Sequence, residues 1–359
     1  MRDWRNIQGL SVDCNGQFVV FHGDNGAGKT NVLEAVYMLA TLRSFRDAAK
    51  NNLVRHGCSA SLIEAGLSSR YGRKRICWSY SSRGRELRMD NIPVSSISQW
   101  FVPIRAILFC PDHVSIVRGG PDARRSFLDR ARFTANPAYL EVFRKYRHVL
   151  EQKKSLLRGR GGGDPSDPLL LGVWNRQLVD HGVKISLQRQ RMLDELQGPF
   201  AEYHSLLTGG ESVRLSLKGL SGQDPEKVRE VFESELERLS AEELRQGRCL
   251  VGPHRDDVSI EIDGHPARRF ASQGQARSIV IALKMAELEA ARLRGDAPLF
   301  LLDDLSSELD RERTHRLVGM LSERSNQIWI TTTNLSLLGT LPSSSTRKFQ
   351  LAEGNVGKV

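Results

Sequence analysis

Apolar residues recur along this chain with two different periods, and the switches between them mark its elements. Near the start, Leu10, Val12 and Cys14 alternate with polar neighbours as a half-buried strand does, and residues 17–22 (QFVVFH) form the apolar run of a buried strand. From Thr30 onward the spacing changes: Leu33, Val36, Tyr37 and Ala40 share one face of a helix. Strand-like runs return at 59–67, 74–82 and 86–94, where Asp90-Asn91 suits a tight hairpin turn, so an antiparallel sheet is predicted there. Residues 105–109 (RAILF) predict a further strand, which stops at Cys110-Pro111 because proline has no N–H to give to a ladder.

The pattern then becomes helical from about 118 to 160 and resumes as a helix over 174–196, with a Gly/Pro-rich stretch at 158–168 between them. Two helices of about 20 residues each would reach about 30 Å, which predicts an antiparallel helical hairpin forming a short arm. A strand at 213–218 and a mixed-charge helix at 225–246 follow. Beyond Cys249 strands return: Val258, Ile260 and Ile262 alternate up to Asp263-Gly264, a strong hairpin signal. Ile279, Leu283, Ala286, Ala290 and Leu293 then mark a long helix, ended by Gly295 and Pro298. Residues 298–304 are an apolar strand closing on two carboxylates, 327–333 are another buried strand, and from Leu341 onward the pattern carries little information. The division predicted is α/β: one lobe from 1–110 plus 248–359, and an inserted helical arm lobe over 111–247 with its hairpin tip near 159–168.

Composition narrows the partners. Across 359 residues, 52 basic side chains oppose 42 acidic ones for a net charge of +10, and the pI near 9.6 favours a polyanion. The segment 118–160 concentrates this charge: Arg118, Arg124, Arg125, Arg130, Arg132, Arg144, Lys145, Arg147, Lys153, Lys154, Arg158 and Arg160 face only Asp122, Asp129, Glu141 and Glu151. Such clustering suits duplex phosphates, which reward it through counterion release, although a solvated helix face has the same composition. No base-reading motif is visible, so contacts independent of sequence are expected. Five scattered cysteines in no C-x-x-C pair indicate neither a disulfide frame nor a zinc site. With no signal-peptide run at the start and no apolar stretch of about 18 residues, a soluble cytoplasmic protein without a membrane partner is expected.

The chemistry centres on Gly23-Asp24-Asn25-Gly26-Ala27-Gly28-Lys29-Thr30, which fits the phosphate-loop pattern G-x-x-x-x-G-K-[ST] between a predicted strand and a predicted helix. Its glycines let backbone N–H groups close around phosphate oxygens at the positive end of a helix dipole, Lys29 adds a mobile charge, and Thr30 offers Mg²⁺ a hydroxyl. The strand ending in Asp303-Asp304 supplies the other half of an ATP site. Asp303 is placed to hold Mg²⁺ opposite Thr30, and Asp304 to orient or deprotonate the attacking water.

Ser272-Gln273-Gly274-Gln275, directly before the long late helix, resembles the signature motif of ABC-type ATPases, and residues 307–310 (SELD) stand where that superfamily has its D-loop. The ordered set GDNGAGKTNVLEA (23–35), LRSFRD (42–47), GPDARRSFLD (120–129), GPHRDD (252–257), SQGQ (272–275) and LLDDLSSELD (301–310) resembles the RecF family of bacterial recombination mediators over nearly the whole chain. That resemblance implies an ABC-type P-loop ATPase head akin to those of Rad50 and SMC proteins, with a short helical arm in place of a long coiled coil. It implies an ATP-dependent homodimer in which Ser272, Gly274 and Gln275 of one copy, with Asp310 at the seam, complete the nucleotide site of the other. By the same likeness Lys29, Ser272 and Asp304 carry catalysis. It further implies binding to double-stranded and gapped DNA, slow DNA-stimulated ATP hydrolysis, and help from RecR and RecO in loading RecA.

The chain departs from the wider ABC pattern in three places. Asp304 replaces the usual glutamate and is one methylene shorter, Cys110-Pro111-Asp112-His113 stands where a Q-loop glutamine would follow its strand, and the late strand ends in Thr331-Thr332-Thr333 with no switch histidine. Two motifs are open to two readings each. His254 and Arg255 either pin the re-entering chain or act at the site, and Arg43 and Arg46 either reach phosphate or DNA or form an ion pair inside the head. The alternative function, a nucleotide-binding subunit of an ABC transporter, shares the core chemistry but not the basic arm.

Overall fold

The structure is a computed structural model that describes every residue except 47–49, 70–71, 102, 160–163, 165–166, 353 and 358–359. It divides into two compact units, one of residues 1–113, 205–209 and 277–359, the other of 114–204 and 210–276.

The first unit holds two six-stranded sheets. In one, Thr346–Ala352, Phe18–His22, Ile328–Thr332, Leu299–Leu302 and Ala106–Phe109 lie side by side in parallel, with Asn355–Gly357 antiparallel at one edge. Phe18 to Phe21, Phe300 to Leu302 and Ile328 and Ile330 are fully buried, as near-continuous apolar runs in a parallel sheet require. The helix Lys29–Thr41 follows the strand Phe18–His22. The other sheet is antiparallel and contains the hairpin strands Ala60–Ser69 and Gly72–Ser81 with Gly84–Met89. Asp90 and Asn91 adopt φ values of 51° and 67°, the left-handed pair that the predicted tight turn needs.

Two expectations for this unit change. No strand forms at Leu10 to Cys14; the sheet begins instead with a small hairpin, Arg2–Trp4 against Ile7–Gly9. Leu10 still exchanges backbone bonds with Met1 at 3.0 and 2.8 Å, but the carbonyls of Cys14 and Gly16 accept from the Gln327 side chain at 2.6 and 2.9 Å, so the far end of this segment is held by a side chain. The uninformative stretch after Leu341 supplies Thr346–Ala352, which pairs with the strand that feeds the phosphate loop, from Thr346 opposite Phe18 to Gln350 opposite His22.

The second unit is built on the helices Pro121–Ala135, Tyr139–Leu157, most of Pro168–Thr208, Pro225–Arg238 and Ser240–Gln246, with a three-stranded sheet. The helix expected over 174–196 runs for 41 residues, from Pro168 past Gly198-Pro199. It starts early because Asp167 accepts the N–H of Leu169 at 2.9 Å as an N-cap. It continues past the proline because Phe200, Tyr203 and Leu207 keep the apolar face buried, and burial outweighs propensity. The expected arm tip falls largely on 160–163 and 165–166, outside the described residues.

Residues 248–276, expected with the ATPase lobe, cluster with the second unit. The reason is pairing: Asp257–Ile262 lies antiparallel to Val213–Lys218 over six consecutive pairs. Arginines of two helices reinforce it. Arg124 grips Asp257 through Nε at 2.6 Å and Nη2 at 2.9 Å, while Arg189 grips Asp129 at 2.8 and 2.9 Å and donates to the Pro253 carbonyl at 2.6 Å and to Asp256 at 3.2 Å. The motifs at 120–129 and 252–257 are therefore largely two halves of one bidentate ion-pair network.

His254 belongs to this framework: Nδ1 shares a proton with the Tyr146 hydroxyl at 2.7 Å and Nε2 meets the Cys249 carbonyl at 3.1 Å. Burial pushes its pKa down from 6.5 to about 4, with Lys154, Arg255 and Lys153 adding to the effect against the Cys249 carbonyl. The folded value lies below the unfolded one, so His254's contribution is complete above pH 6.5 and is lost as pH falls toward 4. Urea unfolding of the parent and of His254→Gln at pH 7 and pH 4.5 should show the difference between them shrinking at the lower pH by about 2 kcal/mol.

Candidate nucleotide site

All five parallel strands of the first unit point the same way, and the phosphate loop, Asp303 and Asp304 stand at or just past their carboxyl ends, where open α/β sheets bind ligands. The phosphate loop leaves Phe18–His22, Asp303 and Asp304 leave Leu299–Leu302, and Thr331 and Thr332 close Ile328–Thr332. Thr30 and Asp303, 273 residues apart in sequence, meet with Thr30 Oγ1 donating to Asp303 Oδ1 at 2.9 Å.

The loop's glycines are required sterically. Gly23 has φ 147°, and a Cβ there would lie 2.2 Å from the Leu351 carbonyl oxygen; Gly28 has φ 103° and a Cβ would meet the Asn6 amide at 2.9 Å. Lys29 is buried and its ammonium donates to the carbonyls of Gly23 and Asp24, both at 2.7 Å. Burial lowers its pKa, against the pull of Asp304, Asp303 and Asp24. The charge thus sits coiled inside the loop on neutral acceptors that an anion would displace.

Asp303 is buried, which raises its pKa, while hydroxyl donors from Thr331 at 2.7 Å and from Thr30 pull it back toward the ionised form. Thr331 does double duty: its Oγ1 also accepts the Asp304 N–H at 2.8 Å. Asp304 adopts the left-handed conformation with φ 51°, a strained state that clusters at functional sites, and its carboxylate accepts the Ser307 hydroxyl at 2.7 Å. A hydroxyl and carboxylates are hard oxygen donors, a set suited to Mg²⁺ and not to zinc.

Asn6, Asn31 and Gly354, for which the sequence suggested no role, complete this geometry together with Arg46. Asn6 donates to the Gly26 carbonyl at 3.1 Å and accepts from Asn31 at 2.7 Å, and Arg46 donates to Asn31 at 2.7 Å, a polar chain along the loop's flank. Arg5, Asn6, Asn31, Arg46 and His56 line a polar cleft of about 590 Å³ there. Gly354, in the C-terminal hairpin, donates its N–H to the Ala27 carbonyl at 3.1 Å and so braces the loop from the opposite chain end. Arg46 is exposed and bound to Asn31, which favours neither of its two sequence readings, and Arg43 is exposed. Ser44 and Phe45 fold back on the loop helix, through Glu34 and through an edge-on contact of Phe45 with Tyr37 at 5.6 Å.

Ser272, Gly274 and Gln275 lie in the second unit, in the first turn of the helix Gln273–Leu293 and just before it. Ser272 is exposed, and its Oγ accepts the Gln275 N–H at 3.1 Å while its own N–H donates to Gln275 Oε1 at 2.7 Å, a reciprocal cap. Asp310 accepts the Arg313 N–H at 2.8 Å and caps the helix Arg311–Ser322, and Glu308 is buried against Arg277 at 3.0 Å.

Comparisons with known proteins bear on what this arrangement is. No protein-family model matches the chain. The DNA replication and repair protein RecF of Geobacter sp. strain M21 is 35% identical over 362 residues, covering 99% of this chain and 98% of that relative. The RecF protein of Geobacter sulfurreducens is 36% identical over 365 residues, covering 99% and 97%. The chain belongs to the RecF family.

A solved structure of the recombination mediator protein RecF-ATP in the RecFOR pathway matches this RecF-family chain with a TM-score of 0.89 at 26% identity, over 99% of this chain and 95% of that one. An Smc head bound to the C-winged helix domain of ScpA matches with a TM-score of 0.58 at 13% identity, over 99% and 94%, a likeness of fold alone. The expected α/β ABC-type head is thus the fold of the chain, and the transporter alternative is not favoured. Among the described residues no helix is long and apolar enough to cross a membrane.

The basic stretch reads differently in the structure of this RecF-family chain. Arg124, Arg125, Arg132, Lys145, Lys153 and Lys154 are engaged in ion pairs, with Lys153 fully buried on Glu243 at 2.6 Å. Six of the twelve basic side chains are therefore spoken for, three by carboxylates distant in sequence (Asp257, Glu195 and Glu243) and three by carboxylates adjacent on the same helix. Arg130, Arg144, Arg147 and Arg158 stand exposed, and Arg160 lies outside the described residues. Arg144 and Arg147, three residues apart, share a face of Tyr139–Leu157.

Proposed function

We propose that this chain is an ATP-dependent DNA-binding protein of recombinational DNA repair. Two copies bind ATP and close on duplex DNA near single-strand gaps, hydrolyse the nucleotide slowly, and help RecR- and RecO-type mediators load RecA. The observation that carries the reading is the meeting of Thr30 and Asp303 beside the phosphate loop. A loop hydroxyl and a strand-end carboxylate in contact are the two protein ligands a nucleotide-bound Mg²⁺ takes in P-loop ATPases. The RecF proteins that share the fold include one solved with ATP.

In this reading the N–H groups of residues 23–30 cradle the phosphates, and Lys29 leaves the Gly23 and Asp24 carbonyls for phosphate oxygens. The cleft beside Asn6 and Asn31 receives the nucleoside. Thr30 and Asp303 hold Mg²⁺, which when bound neutralises phosphate charge. Asp304 orients the attacking water and takes its proton; short, and bonded to Ser307, it is a weakly placed base that suits slow turnover. Ser272 and Gly274 of the second copy meet the γ-phosphate at a helix N-terminus. Arg130, Arg144, Arg147 and Arg158 contact the DNA backbone without regard to sequence. The protein works in the cytoplasm.

Sedimentation without nucleotide, with ADP and with ATP, each with and without gapped duplex, tests the reading: dimers should form with ATP and be favoured by DNA. A chain that stays monomeric in all six conditions refutes it. ATP hydrolysis should rise when duplex DNA is added, and the stimulation should fall by about tenfold or more between 50 and 200 mM salt, because phosphate contacts release counterions.

A further inference from the structure

We propose that Glu211 is a positioning residue for the signature motif: it fixes the side-chain amide of Gln275 and, through it, the Ser272 hydroxyl. The inference rests on the reading above, in which Ser272 meets the nucleotide of a second copy.

The reciprocal cap between Ser272 and Gln275 is sensitive to which way the Gln275 amide faces. Its Oε1 accepts the Ser272 N–H at 2.7 Å. The flipped amide has nearly the same shape but would turn NH₂ toward that N–H, donor against donor. What selects the orientation lies on the other side, where Gln275 Nε2 donates to Glu211 Oε1 at 2.7 Å. An ionised carboxylate only accepts, so it can face only the NH₂ end and leaves Oε1 for Ser272. With the amide set, the Gln275 N–H occupies a lone pair of Ser272 Oγ at 3.1 Å, and the serine's proton is left to donate outward from an exposed helix N-terminus.

Glu211 is itself held. It follows Gly210, whose φ of 134° favours glycine, and precedes Ser212, whose N–H and hydroxyl donate to Asp263 Oδ1 at 2.9 and 3.1 Å. Asp263 returns its N–H to the Ser212 carbonyl at 2.9 Å. On the other flank, His204 Nδ1 lies 3.3 Å from the Glu211 carbonyl oxygen and Nε2 3.8 Å from its Oε2. Glu211 thus sits between His204 and the hairpin turn at Asp263, and its half-buried carboxylate faces Gln275.

The test uses the full chain and the variants Glu211→Ala and Glu211→Gln, read by amide hydrogen exchange over residues 272–276, by ATP affinity and by sedimentation with ATP. Glu211→Ala should speed exchange at Ser272 and Gln275 about tenfold and weaken ATP-driven dimerisation about tenfold, the worth of one bond to a charged acceptor. ATP affinity of the monomer should stay within about twofold, since the phosphate loop is an independent site. Glu211→Gln keeps an acceptor oxygen but can also turn its own NH₂ toward Gln275, so it should restore both readouts only in part, an intermediate that loss of fold would not allow. Unchanged exchange in Glu211→Ala overturns the proposal, and so does faster exchange with dimerisation intact. If the parent itself stays monomeric with ATP, the composite-site reading fails on that observation alone. Exchange then decides whether Glu211 holds Ser272: faster in Glu211→Ala and partly restored in Glu211→Gln supports it, and no change overturns it.

Discussion

Lys29→Ala is expected to bind ATP at least about a hundredfold more weakly than the parent, as measured by calorimetric titration with Mg²⁺ and ATP present. The expectation follows from where the ammonium is kept. Lys29 is buried and bonded to two carbonyls of its own loop, at Gly23 and Asp24, both neutral. Its pKa is lowered by that burial, so the site already bears the cost of holding a cation with no hydrogen-bonded counter-ion. A triphosphate supplies the missing anion and relieves the cost, which makes the lysine worth more to binding than an exposed lysine would be. Alanine removes the charge while leaving the carbonyls of Gly23 and Asp24 to solvent, so the fold should tolerate it, with a thermal midpoint within a few degrees of the parent. Lys29→Ala binding ATP as the parent does would remove the phosphate loop from the account.

Much of the first unit is legible in sequence because its signals are local. A buried parallel strand reads as an unbroken apolar run, and 17–22, 298–304 and 327–333 each match a strand to within two residues at either end. Asp90-Asn91 and Asp263-Gly264 announce their turns because few residues tolerate positive φ. The illegible parts depend on partners far along the chain. Thr346–Ala352 is a strand because Phe18–His22 offers it an edge, and its alternation of exposed and half-buried positions carries almost no pattern of its own. Leu10 to Cys14 alternate correctly and still form no strand: Leu10 exchanges backbone bonds with Met1, and Cys14 is held through its carbonyl by the Gln327 side chain.

The candidate site divides in the same way. Thr30, Lys29, Asp303 and Asp304 follow from motifs whose chemistry needs those residue types. Thr331, which holds the Asp303 carboxylate and the Asp304 backbone N–H, was visible only as one of three threonines ending a strand, and Asn6 and Gly354 had no signal, because each acts through a backbone carbonyl of the loop. Counting charges misled in the arm: Arg124 and Lys153 are structural ions whose carboxylates lie 133 and 90 residues away. Arginine fits such bidentate pairs as readily as it fits a phosphate, so composition alone does not separate the two uses.

Ser272→Arg is expected to leave ATP affinity unchanged and to abolish ATP-driven dimerisation, read by sedimentation at a protein concentration where the parent is dimeric with ATP. Ser272 and the phosphate loop belong to different compact units of one chain, and no residue of the loop depends on Ser272 for a hydrogen bond among those described. Within its own unit the serine is exposed, its side chain caps Gln275, and its carbonyl accepts the Ala276 N–H at 2.9 Å, a backbone bond that arginine keeps. Losing that cap costs about 1 kcal/mol, too little to unfold the protein. At a closed seam the effect is far larger. A small hydroxyl whose proton is free to donate is replaced by a long side chain where two copies must approach within hydrogen-bond distance of one phosphate. A guanidinium could pair with that phosphate in principle, but only by holding the helix N-terminus several ångströms back, which forfeits the backbone N–H contacts that make the N-terminus an anion site. Ser272→Ala separates the two causes: it removes the hydroxyl without adding bulk and should weaken the dimer about tenfold while leaving it measurable. A Ser272→Arg protein that dimerises with ATP as the parent does would show that the signature turn is a capped helix end and nothing more.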